Sequence, residues 1–499
     1  MNEIAEVGPT AKAGHRSVQE YIDELPVWSD GTNLKAAPMT GMQWRIWGLA
    51  AAGKFFEGYV VFMTGVALPL IAREFGIGAA EKGFISAASL AGILIGALLL
   101  GGLSDYFGRK RMFIAEMIIF CAFLALLILC TNFISLVICL FGLGMALGCD
   151  YPTAHMIISE NIPSANRGKL VLGAFGFQAV GALGGTGVGC LVLSLLPELD
   201  AWRWMFATAL IPAILVTLGR FFITESANWL AVRGHHEKAE KEVSRLLSRQ
   251  PQYPSDIKLK RGTRDGKNGH GGNAAAKPSF GALFNDRNRR ATIFASVPWF
   301  LQDLGTYGIG IFTPTILAAA LGGGSDHVRS LSDLISDGIL AAKGAAMINV
   351  LLIVGIVFAV VLADRLGRIR LQIGGFIGCA VGLLIASFSI DFSGPAKIEM
   401  IFVGFMLFSF MTNIGPNAQT YLLAGEVFPT EVRGMGAGFA ASFAKIGAVA
   451  TAFLFPILLA AIGTRFLLYG LVATSILGAI VTWRYRIETT GINLDEVGR

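Results

Sequence analysis

Twelve runs of mostly apolar residues, each long enough to cross a bilayer as a helix, dominate this sequence. A spanning helix needs about 20 such residues. The runs fall at roughly 46–72, 84–103, 112–130, 133–158, 169–193, 204–223, 291–317, 343–363, 371–390, 398–422, 434–461 and 465–485. They are ordered as six, a long polar interruption, and six. Only 15% of the 499 residues are charged and the mean hydropathy is +0.62, whereas a soluble domain carries about a quarter charged residues. There is too little charge to coat soluble domains of this total length. A soluble enzyme, a disordered tail protein and a disulfide scaffold are excluded. The expected fold class is an all-α membrane protein with twelve transmembrane helices in two six-helix halves.

The scarce charge is unevenly placed. Residues 224–290 hold 14 Lys/Arg against 7 Asp/Glu, so this one segment accounts for the net +6 of the chain. The expected organisation is a tail (1–45), a six-helix bundle (46–223), a basic loop (224–290), a second bundle (291–485) and a short tail (486–499). Within the loop, 226–249 reads as an amphipathic surface helix and the glycine-rich 251–279 as a disordered linker. Solvated basic loops beside membrane spans are ordinary, so nucleic acid is not the expected partner. The six cysteines all sit in apolar runs and read as small core residues, not as a metal site or disulfide framework. The first forty residues contain no apolar signal-peptide core.

Lys/Arg placement sets orientation. The even connections carry Arg109-Lys110-Arg111, Arg167 and Lys169, the large loop, Arg365, Arg368 and Arg370, and Arg433. The odd ones are poorer in basic residues, so the even connections and both termini are expected in the cytoplasm, on a multi-pass protein of the plasma or inner membrane.

The two halves also echo one another. Asp105-x2-Gly108-Arg109 after the second run returns as Asp364-x2-Gly367-Arg368 after the eighth. Glu160-x6-Arg167-Gly168 after the fourth returns as Glu426-x6-Arg433-Gly434 after the tenth. Two matches at equivalent corners indicate a duplicated six-helix unit. Such repeats place a binding site at their interface near mid-membrane and rock one half against the other. Asp105, Arg109, Glu160, Arg167, Asp364, Arg368, Glu426 and Arg433 are therefore expected to form a cytoplasmic gate. Fixed spacing favours gating over simple headgroup anchoring.

Ionisable residues inside a span cost about 2.5 kcal/mol or more and by default face a cavity or partner. Glu57, Asp150, Asp303 and Lys445 come from four different runs and lie within roughly 7 Å of mid-membrane at a rise of about 1.5 Å per residue. They are expected to converge on one cavity. Trp299, Asp303 and Tyr307 stand at i, i+4 and i+8 and so share a helix face. Gln178 and Asn417 add uncharged hydrogen-bonding groups. Lys54 and Glu57, at i and i+3, either neutralise one another or leave Glu57 to titrate in transport. His155 reads as structural, and Gly181, Gly185 and Gly189 as a ladder for close helix approach. Gly48-x4-Gly53-Lys54 imitates a phosphate loop, but Phe55 occupies the required Ser/Thr position inside a span. ATP-driven transport is not expected, and neither is enzyme chemistry.

The corner motifs resemble the major facilitator superfamily, and Thr224-Glu225-Ser226-x2-Trp229-Leu230 resembles its sugar-porter-like branch. Gly148 to Pro152, Trp299 to Gly308, Gly415-Pro416-Asn417, Glu426 to Thr430, and Lys445 are similar to the phosphate:proton symporters. That resemblance implies that Tyr151, Gln178, Trp299, Asp303, Tyr307, Asn417 and Lys445 bind the substrate. It assigns Glu57 and Asp150 to proton coupling, a role that charge repulsion toward an anion extends to Asp303. Three positions depart from the family pattern: Glu57 and Val60 each stand where it has an Asp on the first span, so that only Glu57 keeps a carboxylate, and Cys149 replaces a Gly.

The function expected is proton-coupled symport of inorganic phosphate by alternating access, driven by the proton gradient without a cofactor or metal. The alternatives are proton symport of another small solute, such as an organic anion, polyol or sugar, and a non-transporting nutrient receptor of the same fold. The partners expected are the substrate, protons and the bilayer, with the chain a monomer. Ionised Asp303 would repel phosphate, while its protonated form would donate a hydrogen bond to it.

Overall fold

The computed structural model describes residues 16–25, 37–100, 103–248, 257–259, 280–321, 330–429 and 432–489. The described residues are almost entirely helical, and their membrane helices follow the expected order. The first six are Gly41–Phe75, Ala79–Leu100, Arg109–Ile128, Phe133–Asn161, Arg167–Leu195 and Ala201–Phe221. The seventh to tenth are Arg289–Leu321, Leu331–Ala363, Arg368–Asp391 and Pro395–Ala424. Arg433–Tyr485 supplies the last two. It is 53 residues long with a break at Gly463, where φ is 76° and ψ 171°. At about 1.5 Å per residue its length is more than twice a hydrocarbon core of about 30 Å, so it must cross twice. Among the described residues, ten helices meet a crossing's length and apolarity when this long one is counted once. The seventh is long enough but carries Gln302, Asp303, Thr306 and Tyr307 along its middle.

Local chemistry fixes the helix ends. Thr40 and Gln43 form a capping box that starts the first helix, with the Thr40 N–H donating to Gln43 Oε1 at 2.8 Å. That helix ends at Gly76, whose φ of 64° suits glycine. Asn132 Oδ1 accepts from the Ser135 N–H at 2.8 Å and starts the fourth.

Packing repeats between the halves as the motifs do. The first helix lies on the fifth as the seventh lies on the eleventh, and the second on the fourth as the eighth on the tenth. Two equivalent pairs, second with eleventh and fifth with eighth, join the halves. The Gly181 ladder permits the close approach of the fifth helix to the first. A Cβ at Gly181 would lie 2.0 Å from the Phe55 carbonyl oxygen, and one at Gly185 would lie 2.4 Å from that of Tyr59.

The basic loop differs from expectation in two respects. Instead of one helix over 226–249 there are two, Ala227–Val232 and His236–Leu246, parted at Gly234 (φ 83°). The second buries Ala239, Val243 and Leu246, and Thr40 Oγ1 donates to the Leu246 carbonyl at 2.7 Å. Within the linker, residues 257–259 are ordered against the N-terminal segment. The Arg16 N–H donates to the Lys258 carbonyl at 3.2 Å, and Leu259 is buried. The remainder of 251–279 lies outside the described residues.

Candidate functional site

The close seat of the first helix on the fifth carries Glu57 into the interface between the halves, where its side chain is 3% exposed. Four donors from four helices converge on that carboxylate. Lys54 Nζ lies 2.6 Å from Oε2. Gln178 Nε2 of the fifth helix, the Tyr307 hydroxyl of the seventh and Lys445 Nζ of the eleventh approach Oε1 at 3.2, 3.0 and 3.4 Å. Tyr307 links this group further, because its oxygen accepts from Lys445 at 2.5 Å and from Gln178 at 2.9 Å. Lys445 also lies 3.6 Å from Asp303 Oδ2 and 4.4 Å from the centre of the Tyr307 ring. Glu57, Gln178, Asp303, Tyr307 and Lys445 thus form one connected cluster spanning both halves.

Beside it runs an uncharged string. Gln302 Nε2 donates to Thr306 at 2.6 Å and to Asn417 Oδ1 at 3.1 Å, and Asn417 Nδ2 donates to Asn413 at 2.6 Å. Asn417 therefore belongs to this string and is not bonded to the charged cluster. A void of about 10 Å³ lies between the two, lined by Phe62, Gln178, Thr306, Leu352, Asn413 and Asn417. That is room for about one water, far less than an oxyanion needs.

Aromatic rings close the cluster toward the face that carries the large loop. Tyr421 stacks on Phe175 across the halves at 4.5 Å between ring centres, and Trp299 stands edge-on to Tyr421 at 6.1 Å. His155 is 6.3 Å from the same ring. Leu172 and Phe175 of one half pack there with Ile356, Ala359 and Leu422 of the other. On the opposite face, Gly65 meets the Ile311 carbonyl and Phe84 packs edge-on to Phe453 at 4.9 Å. The halves meet on both sides of the cluster.

Asp150 corrects the expectation of four charges in one cavity. It is held 2.6 Å from Arg220, which also binds Glu116 at 2.8 Å. Arg220 is fully buried, with its guanidinium carbon 3.4 Å from the Phe113 ring centre, and it donates to the Phe113 and Leu49 carbonyls. Asp150 packs on Gly53, where a Cβ would fall 1.7 Å from its Oδ2. Sequence reasoning missed Glu116 and Arg220 because both lie near the ends of apolar runs, where charges read as headgroup anchors. The available signal was Asp150 itself, a buried acid that needs a cation in its own half. Of the other expected residues, the side chain of Tyr151 lies outside the described residues.

At the corners, Arg109 pairs with Glu160 at 3.4 Å, and Arg368 with Glu426. Glu160 accepts from Ser226, and Glu426 from Thr489 at 2.9 Å. Arg167 donates to Ser164 at 3.5 Å and Arg433 to the Phe428 carbonyl at 3.2 Å. The side chains of Asp105 and Asp364 lie outside the described residues. The two ion pairs join neighbouring helices within one half, third to fourth and ninth to tenth. The Thr224-Glu225-Ser226 motif locks onto the first corner, with Glu225 accepting from the Lys110 N–H at 2.9 Å.

Comparison with known proteins gives this geometry a context. The inner membrane metabolite transport protein YgcS of Escherichia coli is 29% identical over 469 residues, spanning 92% of this chain and 95% of that protein. The probable inorganic phosphate transporter 1-6 of Arabidopsis thaliana is 26% identical over 517 residues, 94% of this chain and 96% of its own. The partially occluded, inward-open structure of the xylose transporter XylE from E. coli superposes with a TM-score of 0.70 at 20% identity, covering 91% of this chain and all of that one. The match to the sugar (and other) transporter family runs over residues 48–499. The chain is a multi-pass membrane transporter with the major facilitator fold, and it belongs to the sugar (and other) transporter family.

Proposed function

We propose that the protein carries inorganic phosphate together with protons by alternating access. The observation that carries this reading is the position of Lys445. It is a buried cation between the halves whose partners, Tyr307, Glu57 and Asp303, are all groups that an anion's oxygens or a proton can replace. An arriving phosphate takes the bonds that Lys445 now makes to carboxylates. Protonation of Asp303 removes the like charge that would face the anion and leaves an O–H to donate to it. Glu57 is the second carboxylate that must be neutralised or displaced, and Asp150 is the proton-carrying acid of the N-terminal half. The face bearing the large loop is assigned to the cytoplasm, with Phe175 and Tyr421 as the inner gate and the corner ion pairs bracing each half behind it.

A second reading, proton symport of a sugar or organic solute, is favoured by the uncharged string Gln302–Asn417–Asn413 beside the cluster. Uptake of radiolabelled phosphate into proteoliposomes under an imposed pH gradient separates the two. Competition by arsenate and not by xylose or organic acids supports phosphate. Gradient-driven uptake of xylose with none of phosphate contradicts it.

A further inference from the structure

The four donors around Glu57 come from four helices, and three of them, Gln178, Tyr307 and Lys445, are residues assigned to the substrate. A carboxylate gathering hydrogen bonds from several donors and two ammonium groups has the surroundings of a bound oxyanion. Its two oxygens divide the cations, Oε2 to Lys54 at 2.6 Å and Oε1 to Lys445 at 3.4 Å. Lys54 sits one turn nearer the loop face and lies 5.8 Å from the ring centre of Phe175, which stacks on Tyr421. It therefore stands between the cluster and the aromatic layer. The void beside the cluster has no room for a second anion while Glu57 holds this place.

We infer that Glu57 is a tethered stand-in for the transported anion, and that Lys54 is the second cation of the anion's seat. In the empty protein the Glu57 carboxylate satisfies Lys54, Lys445, Tyr307 and Gln178. When substrate binds, its oxygens take over these donors and Glu57 withdraws. A bound anion is thus held between two ammonium groups, one from each half, which ties occupancy to closure of the halves. This inference rests on the anion reading above and adds to it a specific competitor and a further ligand.

The test is binding of radiolabelled inorganic phosphate to purified protein in nanodiscs, for wild type, Glu57→Gln, the double variant Lys54→Gln/Glu57→Gln and the double variant Lys54→Arg/Glu57→Gln. Glu57→Gln removes the competitor, so affinity should rise by about tenfold or more, on the scale of a charge-assisted hydrogen bond. Lys54→Gln added to it should cancel that gain, and Lys54→Arg should keep most of it. Unchanged or weaker binding by Glu57→Gln overturns the stand-in. Equal affinity of Glu57→Gln and Lys54→Gln/Glu57→Gln overturns Lys54 as a ligand, because a mere counter-ion is dispensable once Glu57 is neutral. A wild-type protein that binds xylose and neither phosphate nor an organic anion overturns the parent reading instead. Melting curves of each variant separate lost binding from lost folding, and the arginine variant keeps the cation where glutamine unfolds the protein.

Discussion

Lys445 of the eleventh helix lies 3.4 Å from Glu57 of the first, an ion pair that crosses the interface between the two halves at the middle of the membrane. Any opening of the halves stretches this pair, leaving Glu57 to Lys54 and Gln178 of its own half and Lys445 to Asp303 and Tyr307 of its own. The contact that closes the empty protein is therefore broken during transport, and protons on the carboxylates or the oxygens of the cargo can take its place.

The Arg220 triad, which holds Asp150 apart from the Lys445 cluster, also bears on stability. Removing one partner of a buried ion pair costs about 3–5 kcal/mol because the other charge stays buried. Arg220→Met leaves Asp150 and Glu116 facing each other without their cation. It is expected to lower the thermal midpoint markedly, and Asp150→Asn/Arg220→Met to recover part of the loss. Thermal denaturation of detergent-purified protein checks this; a midpoint for Arg220→Met equal to wild type would refute it.

Gly181 is expected to tolerate no side chain. A Cβ there would meet the Phe55 carbonyl oxygen at 2.0 Å, and the obstacle is backbone, which cannot rotate away. Forcing the first and fifth helices apart also pulls Gln178 from Glu57. Gly181→Val should cost at least about 1–3 kcal/mol of overpacking strain and lose transport. Gly187→Ala, at a position with open space around it, is the matched control. Uptake assays on correctly folded fractions decide whether the two differ.

The inner gate can be tested apart from the cluster. Tyr421 stacks on Phe175 and is also flanked by Trp299 and His155. Tyr421→Ala removes the ring that bridges the halves on the loop face. A cysteine at Gln178 should then react faster with a water-soluble thiol reagent added from that face than in the Tyr421-containing background. All six native cysteines would first be replaced. Unchanged reactivity would show that the closure lies elsewhere.

The sequence carries the architecture well because each membrane pass requires its own apolar run and the duplicated corner motifs mark the halves. It also separates the last two passes, 434–461 and 465–485, on either side of Gly463, where the structure breaks a 53-residue helix. Depth along the chain is legible and brings Glu57, Asp303 and Lys445 to one level. Azimuth is not: whether a mid-membrane acid faces the interface or its own bundle depends on helix rotation, and Asp150 turns inward to Arg220. The same limit hides Gln302 and Asn413, which look like isolated polar residues until the seventh and tenth helices meet. The register of the N-terminal segment on 257–259 is likewise invisible, since a glycine-rich linker gives no periodic signal.

Asp303, buried 3.6 Å from Lys445, is the carboxylate on which the proposed proton coupling rests. Asp303→Asn keeps a hydrogen-bond donor for the anion but can no longer gain or lose a proton. In proteoliposomes, phosphate counterflow and uphill phosphate uptake should be measured for this variant across external pH. Coupling through Asp303 predicts that counterflow survives while gradient-driven accumulation and its pH dependence disappear. Accumulation against the gradient with undiminished pH dependence would contradict it.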